Sequence, residues 1–375
     1  MAEINVSRRS FTKTVGVAVG AALTLPKLGV SVAEARLPAG APSDVVQLNA
    51  NENPYGPCAA AVAAITRSER VASRYPDARE QEIRAAIAKL HGVGTENVLL
   101  GCGSSEILRI VDNAFLDATH NVVVAEPTFE AVVNFAGIEH AKAVKVPQTA
   151  DYRHDLPAMA AACTAQTPLV YVCNPNNPTG TIVSREEMAD FFGRVPRSTW
   201  ILVDEAYHHF VQSPKYASAF DWMGKQPNLL VMRTFSKVYG MAGMRLGYVV
   251  GPKEPLATMR KYLLISNANT AVIEAGLASL ADPNRVPEHR KLNADTRQWL
   301  YNELEKDHRR YIPSEANFVM VDVHTDVRAI GESFRQRKIL VGRKFPSMSN
   351  WLRISIGTPA EMQTFMTALR EIVPA

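Results

Sequence analysis

The chain has 375 residues, 47% of them hydrophobic and 21% charged, an ordinary globular balance with length for roughly two or three domain-sized units. A formal net charge of +4, spread along the chain, carries no electrostatic footprint for nucleic acid. The four cysteines, Cys58, Cys102, Cys163 and Cys173, lack CxxC or Cys/His metal spacing and read as free buried thiols rather than a disulfide framework.

The first segment reads as an export signal. Ser7 to Lys13 (SRRSFTK) places Arg8 and Arg9 ahead of a moderately apolar run, Val15 to Pro26, too short and too rich in Gly and Ala to span a membrane. Small residues at Ala33 to Ala35 (AEA) offer a cleavage site before Arg36. This order matches a twin-arginine signal over residues 1–35, with a disordered amphipathic tail as the alternative. The expectation is a periplasmic protein that meets the twin-arginine machinery transiently. No other segment has the pattern of a membrane span.

From about Val45 the pattern alternates between strands and helices. Asn97 to Gly101, Asn121 to Pro127, Ala143 to Pro147 and Pro168 to Pro175 read as strands, as do Trp200 to Tyr207, Asn228 to Ser236 and Gly247 to Gly251. Between them lie helical patterns such as Ser105 to Phe115, where Ile107, Val111, Ala114 and Phe115 recur at helical spacing. Near-continuous apolar strands alternating with helices predict an α/β fold, with a mostly parallel, seven-stranded sheet covered on both faces. After about Asn267 the texture changes. A long helical stretch, Thr270 to Glu305, leads to apolar runs at Asn317 to Val323, Ile339 to Phe345 and Trp351 to Gly357. The predicted organisation is a large domain over residues 66–269 and a smaller α+β domain built from residues 36–65 and 270–375.

Polar groups collect where these strands end, the edge at which open α/β sheets bind ligands. GCGSSE (Gly101 to Glu106) puts Ser104 and Ser105 at a helix N-terminus, a ready anion site or a simple capped loop. It is no dinucleotide fingerprint, because the third glycine of GxGxxG would fall at Glu106, and a nicotinamide dehydrogenase is a poor fit. NPNNPTG (Asn174 to Gly180) is a rigid polar turn. VDEAYHHF (Val203 to Phe210) ends a strand with Asp204, Glu205 and Tyr207, where Asp204 is costly unless paired or used as a helix cap. His208 and His209 form no metal motif by themselves.

TFSKVYGMAGMRLGY (Thr234 to Tyr248) sets Lys237 among Thr234, Ser236 and Arg245. Such a lysine is either a solvated surface charge or a partly desolvated amine whose pKa falls until it is a nucleophile. Taken together, the groups fit a flat, phosphorylated, aldehyde-bearing pyridine. Lys237 can form a Schiff base, Ser104, Ser105, Ser236 and Arg245 can hold a phosphate, and Asp204 can keep the ring nitrogen protonated. Asn177 and Tyr207 can hydrogen-bond the ring oxygen.

With NANENPYGP and YPD before them, PTF between them and WLRISIGT after, these motifs in this order resemble the fold-type I pyridoxal-phosphate aminotransferases. The histidinol-phosphate subgroup is the most similar, over about Val45 to the C-terminus. The resemblance implies pyridoxal 5'-phosphate as cofactor, an amino acid and a 2-oxo acid as substrates, and Lys237 as Schiff-base lysine and proton-transfer base. It implies that Asp204 pairs with the ring nitrogen, that Asn177 and Tyr207 bind the ring oxygen, and that Phe129 stacks on the ring. Ser104, Ser105, Thr234, Ser236 and Arg245 match the phosphate cup. Tyr75 would reach the phosphate from the partner subunit of a homodimer. Arg353 matches the arginine that fixes the substrate carboxylate, while Asn51, Asn177 and Arg343 would lie near the substrate.

Two positions depart from the histidinol-phosphate pattern. Phe129 stands where a tyrosine is usual, and the segment ARLPAGAPSDVV lacks the usual upstream aromatic residue. Both, with export, turn the expectation towards free or peptide-derived amino acids. A decarboxylase on the same scaffold, and a cofactor-binding protein without turnover, are the competing readings.

Overall fold

The computed structural model describes residues 44–374, so the twin-arginine segment 1–35 lies outside the described residues. β1 (Val46–Leu48) is followed by β2 (Val98–Gly101), β3 (Asn121–Glu126), β4 (Lys142–Pro147), β5 (Leu169–Cys173), β6 (Trp200–Asp204), β7 (Leu229–Thr234) and β8 (Gly247–Val250). β2 to β8 form one sheet in the order β2-β8-β7-β6-β5-β3-β4. β8 runs antiparallel to both its neighbours, and every other pair is parallel.

The composition of the strands follows from what covers them. Along β3, Val122 and Val124 enter a core with Ile107 and Val111 of the Ser104–Phe115 helix, while Val123 and Ala125 face the opposite core with Met188 and Phe191 of the Arg185–Arg194 helix. Period-2 side chains thus meet helices on both faces, which is why alternate residues are both apolar. Ala114 and Phe115 of the Ser104–Phe115 helix are only partly buried. β4 at the sheet edge carries Lys142 and Lys145 and is largely accessible, a charged edge that resists further strand pairing.

Beyond the sheet, the stretch from Thr270 is two helices, Thr270–Leu280 and Arg285–Lys306, rather than one. Pro283 between them has no N–H to donate and biases Asp282 away from helical backbone. β9 (Tyr311–Ile312), β10 (Phe318–Asp322), β11 (Ile339–Val341) and β12 (Trp351–Ser355) follow. They make an antiparallel sheet β12-β10-β9 and a two-stranded parallel β1-β11 pair. Leu48, Phe334, Leu352, Ile354 and Phe365 close a separate core there. β1 and β9 are too short for periodicity to reveal. All four cysteines are free, but only Cys173 is buried, because it ends a central strand and is paired there with Asp204; Cys102 is exposed, and Cys58 and Cys163, outside the sheet, are half-buried.

Candidate active site

β5, β6 and β7 are parallel neighbours, so their C-terminal residues Cys173, Asp204 and Thr234 end on one side of the sheet. A cavity of about 410 Å³ opens there. The asparagine-rich turn divides its labour. Asn174 Oδ1 accepts from Val183 N, and Asn176 bonds Thr128, Thr179 and the Pro127 carbonyl, which fixes the turn. Asn177 is left for the cavity.

Asp204 is the buried acid of the site. Its Oδ2 accepts from Tyr171 Oη at 2.8 Å and its Oδ1 from the Ala206 N–H at 3.0 Å. Burial still raises its pKa to about 6, because two hydrogen bonds replace little of the lost hydration. A cation against this carboxylate would relieve that penalty. Glu205 beside it faces away from the cavity. It pairs with buried Arg233 at 2.7 Å and accepts from Ser218 and from Ala219 N, a structural use of the second acid. Tyr207 Oη accepts from Asn51 Nδ2 at 3.1 Å and from Asn177 Nδ2 at 3.4 Å, so the phenol is fixed by both candidate partners.

Lys237 is half-buried, and its Nζ donates to the Ala50 carbonyl at 3.1 Å. Desolvation, with Arg353 adding to it, lowers its pKa to about 8, so the surface-charge alternative fails. A lysine with this pKa has a usable fraction of neutral amine near neutral pH.

The other end of the cavity is built for an anion. Ser104 and Ser105 open their helix with Gly103 as N-cap and no side-chain cap, leaving first-turn N–H groups for a ligand. Glu106 is turned aside, accepting from Cys102 N and Asn267 Nδ2. Arg245 holds a left-handed backbone at φ 66° and reaches Ser236 Oγ at 3.5 Å, while Thr234 Oγ1 donates to Ser236 Oγ at 3.0 Å. Gly103, at φ 75°, is required twice over: a Cβ there would lie 2.1 Å from Arg245 Nη2.

Arg353 and Arg343 also line the cavity. Arg353 is buried, with Nη1 donating to Asn177 Oδ1 at 2.7 Å and Nη2 to the Asn49 carbonyl at 2.9 Å. Its Nε is buried without a hydrogen-bond partner among the described residues. Phe129 and Asn51 complete the predicted set, Asn51 in left-handed backbone at φ 54° with its N–H on Ser355 Oγ.

Tyr75 is the one predicted residue that does not line the cavity of its own chain; it is 84% exposed. Glu52, Ala50 and Cys173 line the cavity without having been singled out for it, and Tyr171 supports Asp204 from the next strand. Glu52 and Ala50 sit inside the NANENP motif, which is the signal that points to them. Among the described residues no group of His, Cys, Asp and Glu could hold a metal ion.

The donor set therefore fits pyridoxal phosphate: an amine of lowered pKa, a buried carboxylate lacking a cation, a fixed phenol, and an uncapped helix N-terminus beside an arginine. Fold and site together define a pyridoxal-phosphate-dependent transferase of the mostly parallel, seven-stranded type. Comparison with known proteins agrees. The sequence pattern described as aminotransferase class I and II matches residues 43–369. The histidinol-phosphate aminotransferase of Moorella thermoacetica is 38% identical over 333 residues, 88% of this chain and 86% of that protein. A structure from Erwinia carotovora atroseptica, provisionally described as a histidinol-phosphate aminotransferase, superposes with a TM-score of 0.84 at 34% identity, covering 87% of this chain and 95% of that one. The histidinol-phosphate aminotransferase of Sinorhizobium meliloti in complex with pyridoxal-5'-phosphate gives 0.82 at 27% identity, over 88% and 91% of the two chains. The chain belongs to the class I and II aminotransferases, and its activity is pyridoxal-phosphate-dependent transfer of an amino group between an amino donor and a 2-oxo acid.

Proposed function

We propose that the donors and acceptors of this aminotransferase bind through a single anionic group seated on Arg353. Amino-acid carboxylates are the first class, and the phosphate monoester of a histidinol-phosphate-like amine is the second. The observation that carries this reading is Arg353 itself, buried and fixed by Asn177 and Asn49 with Nε unpartnered. Its planar fork suits a carboxylate held by two parallel hydrogen bonds. Phe129 supplies no hydroxyl to a substrate phosphate, which places the phosphorylated amines second.

When bound, pyridoxal phosphate supplies an aldehyde and an electron-withdrawing ring that stabilises negative charge at the substrate carbon. The chain's own residues do the rest. Ser104, Ser105, Ser236 and Arg245 would hold the phosphate, and Asp204 would keep the ring nitrogen positive. Asn177 and Tyr207 would hold the ring oxygen. Lys237 Nζ carries the proton that moves between the two carbons of the transfer, its pKa of about 8 allowing both protonation states near neutrality. Arg353 orients the donor so that the departing proton faces that amine.

The test is a donor screen on purified holoenzyme, following the change in cofactor absorbance with amino acids and with histidinol phosphate. Amino acids should react, and Arg353→Ala should raise KM for them by about a hundredfold with a smaller change in kcat. Histidinol phosphate as best donor by a wide margin would overturn the order of substrates.

The working unit in this proposal is a homodimer in which Tyr75 serves the partner's site. Tyr75 (84% exposed) and Ile265 (96% exposed), large apolar side chains left in solvent, support it. Residues 1–35 act as a twin-arginine signal in this proposal, and the protein works in the periplasm.

A further inference from the structure

Arg343 lines the cavity along with Arg353, and it is already engaged. Its Nη2 lies 2.5 Å from Glu130 Oε2, a contact between residues 213 positions apart. Glu130 directly follows Phe129, the ring-stacking position, and Arg343 directly follows the β11 end segment at Gly342. Phe129 and Arg343 both line the cavity, so the pair joins the segments that carry these two lining residues. Phe345 lies between the two arginines, with guanidinium carbons 4.4 Å (Arg343) and 5.3 Å (Arg353) from its ring centre. The neighbouring Lys344 is occupied by Asp326.

Two guanidiniums on one small ring would make the cavity a site for dianions, were both free. Glu130 removes half of that charge. Its partners remain half-exposed, 51% for the Arg343 side chain and 39% for that of Glu130, so water screens the pair and a competing anion can reach the arginine. We infer that Glu130 is a specificity-determining residue: by occupying Arg343 it sets the site against substrates with a second anionic group, such as dicarboxylates, and in favour of monocarboxylates with neutral side chains. A second carboxylate must displace Glu130 from Arg343 before it can pair there, so it loses by competition. A neutral side chain leaves the ion pair intact. The inference rests on the transaminase reading only where turnover is measured.

The experiment pairs ligands that differ by charge and little else. Binding of succinate and butyrate to the holoenzyme is measured by calorimetry, and the kinetics of L-glutamate and L-glutamine by the cofactor half-reaction. Glu130→Gln should tighten succinate roughly three- to tenfold and leave butyrate unmoved. It should lower KM for L-glutamate by a similar factor with kcat little changed, and leave L-glutamine as it was. Glu130→Asp should keep the wild-type discrimination, and in an Arg343→Gln background Glu130→Gln should have no effect. Succinate and butyrate shifting together, or an effect that persists without Arg343, overturns the inference. If neither amino acid turns over, glutamate and glutamine are not donors, and the succinate-to-butyrate ratio alone decides the role of Glu130.

Discussion

At the scale of single residues, Lys237 is defined by what surrounds it rather than by its own chemistry. An exposed lysine is protonated at every physiological pH, whereas here burial, Arg353 and Arg245 bring the pKa from 10.5 to about 8, against the opposing pull of Glu52 and Asp204. The folded state binds fewer protons than the unfolded one between those two values. The destabilisation is therefore complete below about pH 8 and disappears as pH rises towards 10.5. The same shift governs reactivity. The rate at which apoenzyme recombines with pyridoxal phosphate should rise with pH and level off above about 8. Lys237→Ala should abolish the visible absorbance of the holoenzyme and transamination, while phosphate still binds at the other end of the cavity. Turnover of that variant at the wild-type rate would remove the assignment.

At the scale of elements, the Ser104–Phe115 helix joins the cofactor end of the site to the core. Its N-terminus is left uncapped for the phosphate, and Asp112 lies fully buried three residues before its C-terminus. Neither carboxyl oxygen of Asp112 has a well-formed hydrogen bond among the described residues, and the Ala136 backbone gives it only slight relief. Burial, with Glu139 adding repulsion and Arg109 opposing it, raises its pKa to about 8. Because the folded value lies above the unfolded one, the folded state binds more protons between 3.8 and about 8. Stability falls with pH across that window, and the cost is complete above about 8. Asp112→Asn should then stabilise the protein by on the order of 1–3 kcal/mol at pH 9, and far less at pH 4, in denaturant titrations. An equal effect at both pH values would show that ionisation at Asp112 is not the cause.

For the whole molecule, Tyr75 and Ile265 leave large apolar side chains exposed to solvent. The dimer we propose would bury them, and Tyr75→Phe should weaken cofactor retention by about 1.5–3 kcal/mol, the worth of one charged hydrogen bond. Sedimentation that finds an active, fully loaded monomer would contradict it. The proposed export belongs to the same scale, since a twin-arginine route would carry the chain already folded. Replacing Arg8 and Arg9 by lysines should trap precursor inside the cell. Fractionation that finds the native protein wholly cytoplasmic would end that proposal.

The seven strands of the main sheet and the residues of its cofactor end were legible in the sequence, for a physical reason. Each motif directly follows an apolar run, so the sequence puts Asn177, Asp204, Tyr207 and Lys237 just past strand ends, and parallel pairing of β5, β6 and β7 then brings them together. Strand direction is different. An apolar run reads alike in both senses, and only tertiary packing shows that β8 is reversed. Proline marked the break at Pro283, but the helical periodicity on either side hid it. Tyr171 beneath Asp204, the orphan Nε of Arg353 and the Glu130–Arg343 pair were decided by the fold alone. Contacts between side chains distant in sequence leave no periodic trace in it; they exist only once the sheet and its surrounding helices hold both partners in place.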